Sequence, residues 1–88
     1  MGLESIISDI EISLNLEKDA EIVYKSIKPE VLTAPSQRSK LNIKRDKKKI
    51  LFKIIAEDSH AYRASLNSIL RWVIISLDIL KLMKRGDI

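Results

Sequence analysis

Glu57, Asp58 and His60 stand close together in the chain and are its nearest approach to an acid–base set. Two carboxylates do general acid–base work only when both face one reacting atom. Here Glu57 closes a strand pattern and Asp58 stands where a helix cap belongs, so their positions send them apart. His60 is the only histidine and there is no cysteine. A thiol nucleophile, a disulfide framework and a His/Cys metal site are therefore excluded. The only glycines are Gly2 and Gly86, which leaves no Gly-rich phosphate loop and no oxyanion turn beside a nucleophile. No catalytic residue, metal or cofactor is expected.

Two other groups suit recognition. Arg63, Asn67 and Arg71 recur every fourth residue in a helical pattern, which places them in one ridge. Asn67 is a mediocre helix former whose amide can bond a neighbouring chain. Leu70, Trp72 and Ile74 interleave with that ridge, so the six residues together are expected to form a subunit interface. Trp72 reads as a packing anchor rather than a base-stacking platform, since no aromatic residue stands beside it. The second group is the run Lys44, Arg45, Asp46, Lys47, Lys48 and Lys49, with Arg38 upstream. Such a run ordinarily faces water; if it meets RNA, the contacts are to phosphate and weaken with salt.

The elements that position these groups follow from periodicity. Residues 5–16 alternate with Ile6, Ile10, Ile12, Leu14 and Leu16 on one parity, which predicts a strand with one wet face. Ile7 and Ser8 break the alternation. Over 17–28 the period lengthens: Ala20, Val23, Tyr24 and Ile27 mark a helix, with Asn15 as a possible cap and Pro29 as its stop. An irregular connection through Pro35 leads to strands over 38–46 and 49–57, a hairpin turning at Asp46, Lys47 and Lys48. Asp58 and Ser59 then offer cap chemistry to a helix over 59–84 that ends at Arg85 and Gly86. The order strand, helix, strand, strand, helix predicts an α+β domain: a three-stranded antiparallel sheet with both helices on one face. Leu51 and Ile55 then fall on the other face, where pairing of two copies would cover them.

Composition limits the rest. A single domain of 88 residues buries only about 60–65% of the surface its unfolded chain exposes. Yet after Leu70 the last helix is apolar nearly all round, through Trp72, Val73, Ile74, Ile75, Leu77, Ile79, Leu80, Leu82 and Met83. That surplus calls for a partner. A net charge of +4 permits nucleic-acid contact without requiring it. Ser76, Asp78 and Lys81 interrupt the longest apolar run, so no membrane contact is expected. Glu4 and Asp9 interrupt any signal-peptide core, so an intracellular chain is expected.

Several segments together carry a family likeness: Glu21-Ile22-Val23-Tyr24-Lys25, Pro35-Ser36-Gln37-Arg38-Ser39, Ala56-Glu57-Asp58, and Arg63-Ala64-Ser65-Leu66-Asn67-Ser68-Ile69-Leu70-Arg71-Trp72. In these and in element order the chain resembles the small dimerising subunits of the KEOPS (EKC) complex, a CTAG/LAGE-like family. The resemblance implies a non-catalytic subunit in an assembly that makes threonylcarbamoyladenosine beside the tRNA anticodon. Its implied partners are a second copy or a paralogue, the threonylcarbamoyl transferase subunit, and tRNA held by the assembled complex. It also implies a cytoplasmic setting in an archaeon, or a cytoplasmic or nuclear one in a eukaryote. The rival reading is a free-standing basic RNA-binding module of KH type, although the Gly-x-x-Gly clamp of that fold is missing. A small enzyme is the other rival, and it lacks a catalytic constellation.

Overall fold

A computed structural model describes residues 5–33 and 38–86. It contains strand β1 (Ile6–Ser13), helix α1 (Glu17–Thr33), strands β2 (Ser39–Asp46) and β3 (Lys49–Ala56), and helix α2 (Ser59–Lys84). The strands form one antiparallel sheet in the order β1-β3-β2. Both helices lie on the same face, which makes the α+β architecture.

Strict alternation in β3 explains why this strand is central. Ile50, Phe52, Ile54 and Ala56 are all buried, while Lys49, Lys53 and Ile55 point outward. Ala20, Val23, Ile27 and Val31 of α1 close over that layer at helical spacing. From α2 come Ala61, Ser65, Ile69, Val73, Ser76 and Leu80, also at steps of three and four. Small residues at Ala20, Ala56, Ala61 and Ser65 allow close approach of the layers, and Ser65 Oγ lies 2.7 Å from Ser39 Oγ of β2.

Four local features depart from the periodicity. Helix α1 does not stop at Lys28 but runs through Pro29 to Thr33. Proline removes the donor for the Lys25 carbonyl, but Lys25 and Pro29 both lie on the solvent side, where water can serve that carbonyl. Meanwhile Val31 extends the buried stripe, and Thr33 Oγ1 donates to the Pro29 carbonyl at 2.8 Å. The cap position of α1 is Leu16 rather than Asn15, since the Leu16 carbonyl accepts from Ala20 N. Strand β1 ends at Ser13 rather than at residue 16 because its partner turns away: Ser13 faces Lys49, and only Leu14 N still reaches the Lys48 carbonyl. Ser8, which breaks the apolar alternation, faces inward and accepts from Tyr62 Oη at 3.3 Å. Of the connection before β2, residues 34–37, with Pro35, Ser36 and Gln37, lie outside the described residues.

Helix α2 begins as its sequence suggests. Asp58 is extended at φ −153° and accepts from Ala61 N at 2.8 Å through Oδ1. Its end is marked by Gly86 at φ 77°, whose N–H donates to the Met83 carbonyl. Periodicity gives no sign of the bond that joins the far ends of the helices: Lys84 Nζ to Asp19 Oδ2 at 2.6 Å, with Asp19 buried. Removing the ammonium leaves a buried carboxylate without its charged donor. Lys84→Met is therefore expected to lower stability by about 1–2 kcal/mol, read from the urea unfolding midpoint; an unchanged midpoint would show that the contact carries no weight.

Candidate interaction site

The helical layer sits off centre. Its closest approaches are to β2 and β3, and β1 is left at the margin. On β3 the inward side chains are fully covered, whereas Ile6, Ile10 and Ile12 of β1 are only half-buried. The rotation of α2 is fixed from both sides, because Tyr62 reaches Ser8 of β1 and Ser65 reaches Ser39 of β2. Each i+4 step turns about 40° further round a helix. The row Tyr62, Leu66, Leu70, Ile74 thus climbs from the β1 side to the outer surface, ending at 46% exposure for Leu70 and 59% for Ile74. Ile75, Ile79, Leu82 and Met83 continue the exposed apolar surface toward the helix end.

Backbone groups add to this open margin. Leu14 N bonds across to Lys48, so even-numbered β1 residues, in phase with it, point their amides toward β3. Ile7, Asp9, Glu11 and Ser13 accordingly turn N–H and C=O to the free edge. Among the described residues no strand pairs with that edge. A free strand edge beside under-covered isoleucines is a template for another chain.

The expected interface residues do not all fall together. Arg63, Asn67, Leu70, Arg71 and Ile74 are exposed on the outer side of α2, whereas Trp72 turns half-buried against the core. Among the described residues no side-chain hydrogen bond or ion pair engages Arg63, Asn67 or Arg71. Arg38, by contrast, lies against Asp58 Oδ2 and approaches Glu57 Oε2 at 4.0 Å. One guanidinium thus draws together two carboxylates whose sequence positions send them apart. Their shared partner Arg38, the residue that leads into β2, ties that strand to the end of β3 and the start of α2. His60 is exposed in the first turn, and no group of three His, Cys, Asp or Glu among the described residues could hold a metal ion.

At the hairpin, Lys44, Arg45, Lys47, Lys48 and Lys49 are all exposed. Lys49 pairs with Glu11 at 3.5 Å, and Arg45 donates to the Lys47 carbonyl at 3.1 Å, bracing the tip. The outer sheet face carries the cross-strand pair Ile7 and Ile55, with Leu51 set apart from them by Lys53. No described helix is long and apolar enough to cross a membrane.

This is a small α+β domain with an open strand edge, exposed apolar residues on α2 and a basic hairpin. A family model described as Transcription factor Pcc1 matches residues 7–81. The KEOPS complex subunit Pcc1 of Pyrococcus abyssi (strain GE5 / Orsay) is 40% identical over 73 residues, 83% of this chain and 89% of the relative. The chain belongs to the Pcc1 family. A solved chain from the crystal structure of a binary Gon7-Pcc1 complex shares the fold, with a TM-score of 0.77 and 18% identity over 89% of this chain and 95% of that one.

Lys47 holds the tip at φ 56°, a left-handed conformation that disfavours any residue with a Cβ. Lys47→Gly is expected to raise stability by about 1 kcal/mol, measured by chemical denaturation. A loss of stability would show that the Lys47 side chain itself braces the turn.

Proposed function

We propose that this chain is a non-catalytic pairing and docking subunit of a KEOPS complex, the assembly that makes threonylcarbamoyladenosine next to the tRNA anticodon. The name of the 40% identical relative supports membership of that complex. The observation that carries the pairing role is the open margin of β1: half-buried Ile6, Ile10 and Ile12 beside an unpaired strand edge and the Leu66 and Leu70 row of α2. A second copy, or a paralogue of the same fold, would extend the sheet through β1 and lay its own α2 row over these isoleucines. Sheet extension satisfies the free amides and buries apolar surface in one step.

The docking role falls to the outer side of α2. Arg63, Asn67 and Arg71 supply directional contacts among Leu70, Ile74 and Ile75, the mixture found in interfaces with an apolar centre and a polar surround. The occupant in this reading is the threonylcarbamoyl transferase subunit. ATP, metal and the threonylcarbamoyl donor belong to other subunits, tRNA is held by the assembled complex with help from this chain's basic hairpin, and the setting is cytoplasmic in an archaeon, or cytoplasmic or nuclear in a eukaryote. The rival of a free-standing KH-type module lacks the Gly-x-x-Gly clamp in its sequence, and Gly86 follows the end of α2 rather than joining two helices.

Mass measurement of the full chain, alone and mixed with a transferase subunit, tests both roles. A dimer that binds the transferase is expected, and Asn67→Leu or Arg71→Glu should weaken that binding about tenfold or more, or about 1.4 kcal/mol. The same substitutions should move unfolding stability by no more than about 0.5 kcal/mol, because both side chains are exposed. A monomer that ignores the transferase would contradict the assignment.

A further inference from the structure

The outer face of the sheet sorts its charge by strand. In the cross-strand register, Ile7, Ile55 and Lys40 form one row, Asp9, Lys53 and Asn42 the next, and Glu11, Leu51 and Lys44 the third. The central lysines are neutralised by β1: Lys53 lies 3.8 Å from Asp9, and Lys49 lies 3.5 Å from Glu11. Lys40 and Lys44 have only β3 beside them, and neither side chain makes an ion pair or hydrogen bond among the described residues. Acids thus occupy one edge, paired lysines the middle, and unpaired lysines the other edge.

We propose that Lys40 and Lys44, with Asn42 between them, bind the phosphate backbone of an RNA strand running along β2 toward the hairpin tip. This rests on the reading that the chain assists tRNA binding, and it moves the contact from the tip to the sheet edge. The two lysines stand about 13 Å apart along the strand, with Lys47 and Lys48 continuing the positive line beyond them. Asp46, opposite Lys49, is the one acid of β2 itself. A shallow depression of about 350 Å³ lies alongside, lined by Asp9, Asn42, Lys44, Leu51, Phe52 and Lys53. Leu51 gives it an apolar patch for the flat face of a base, and the Asn42 amide can donate or accept at its edge. Lys49 and Arg38, with acids already at hand, contribute little to this strip.

The layout makes a claim that net charge alone does not. Lys40→Ala with Lys44→Ala removes two unpaired lysines from the strip, whereas Lys25→Ala with Lys28→Ala removes the same charge from α1. On α1, Lys25 pairs with Glu21 and Lys28 lies over the Tyr24 ring. Binding of a tRNA transcript by the chain assembled with a transferase subunit, measured between about 50 and 200 mM salt, is expected to weaken about tenfold for the β2 pair, with the salt slope reduced by about two. The α1 pair should leave the slope unchanged. Equal weakening by both pairs, salt-independent binding by the native chain, or displacement by polyglutamate as readily as by RNA would each overturn the proposal. Failure of the underlying reading shows elsewhere, as loss of transferase binding by the native chain, a property that the β2 substitutions should not touch.

Discussion

The off-centre seating of the helices over the sheet is the constraint from which the rest follows. The contacts from α1 and α2 bury the inward side chains of β3 completely and Ile43 of β2, while no inward residue of β1 is fully buried. Its isoleucines remain half-buried, its outer backbone groups have no strand to bond, and the flank of α2 above it is left apolar. A domain of this size has little surplus stability with which to tolerate such an opening. The arrangement makes physical sense if another chain finishes the layer. It also explains why α2 carries apolar residues on so many sides: part of its circumference serves its own core, and part serves the open margin.

Charge follows the same division. Asp9 and Glu11 on the outer face of β1 are held by lysines of β3, so sheet extension through β1 would not bring bare acids together. At the opposite edge the lysines of β2 have no such neighbours. The sheet therefore offers a neutralised edge suited to a protein strand and a cationic edge suited to phosphate. Helix ends are treated differently again: Arg38 with Asp58 and Lys84 with Asp19 place ion pairs where they fix the two ends of α2.

Much of the fold is written locally. Alternation in Ile50 to Ala56, the Asp58 cap and Gly86 after the last turn each specify an element through nearest neighbours, and together they give the architecture. What escapes a reading of periodicity depends on distant partners. Pro29 reads as a stop, yet Val31 has a core to enter and the helix continues. Ser8 reads as an irregularity until Tyr62, 54 residues away, donates to it. Asp19 and Lys84 are 65 residues apart and have no pattern in common. On the recognition surface, the spacing of Arg63, Asn67 and Arg71 places them on one exposed ridge, but Trp72 turns to the core. Sequence also points to Leu51 and Ile55 on the outer sheet face, where Ile55 is indeed exposed; the half-covered β1 margin shows only once the helices are seated over the sheet.

The most direct test reads individual amides of β1. In the proposed dimer, hydrogen exchange at Ile7, Asp9 and Glu11, whose N–H groups face the free edge, should be as slow as at Ile10 and Ile12, which bond to β3. Dilution to the monomer should release the first set and spare the second. Rapid exchange at Ile7, Asp9 and Glu11 while the chain remains dimeric would show that its partner does not complete the sheet.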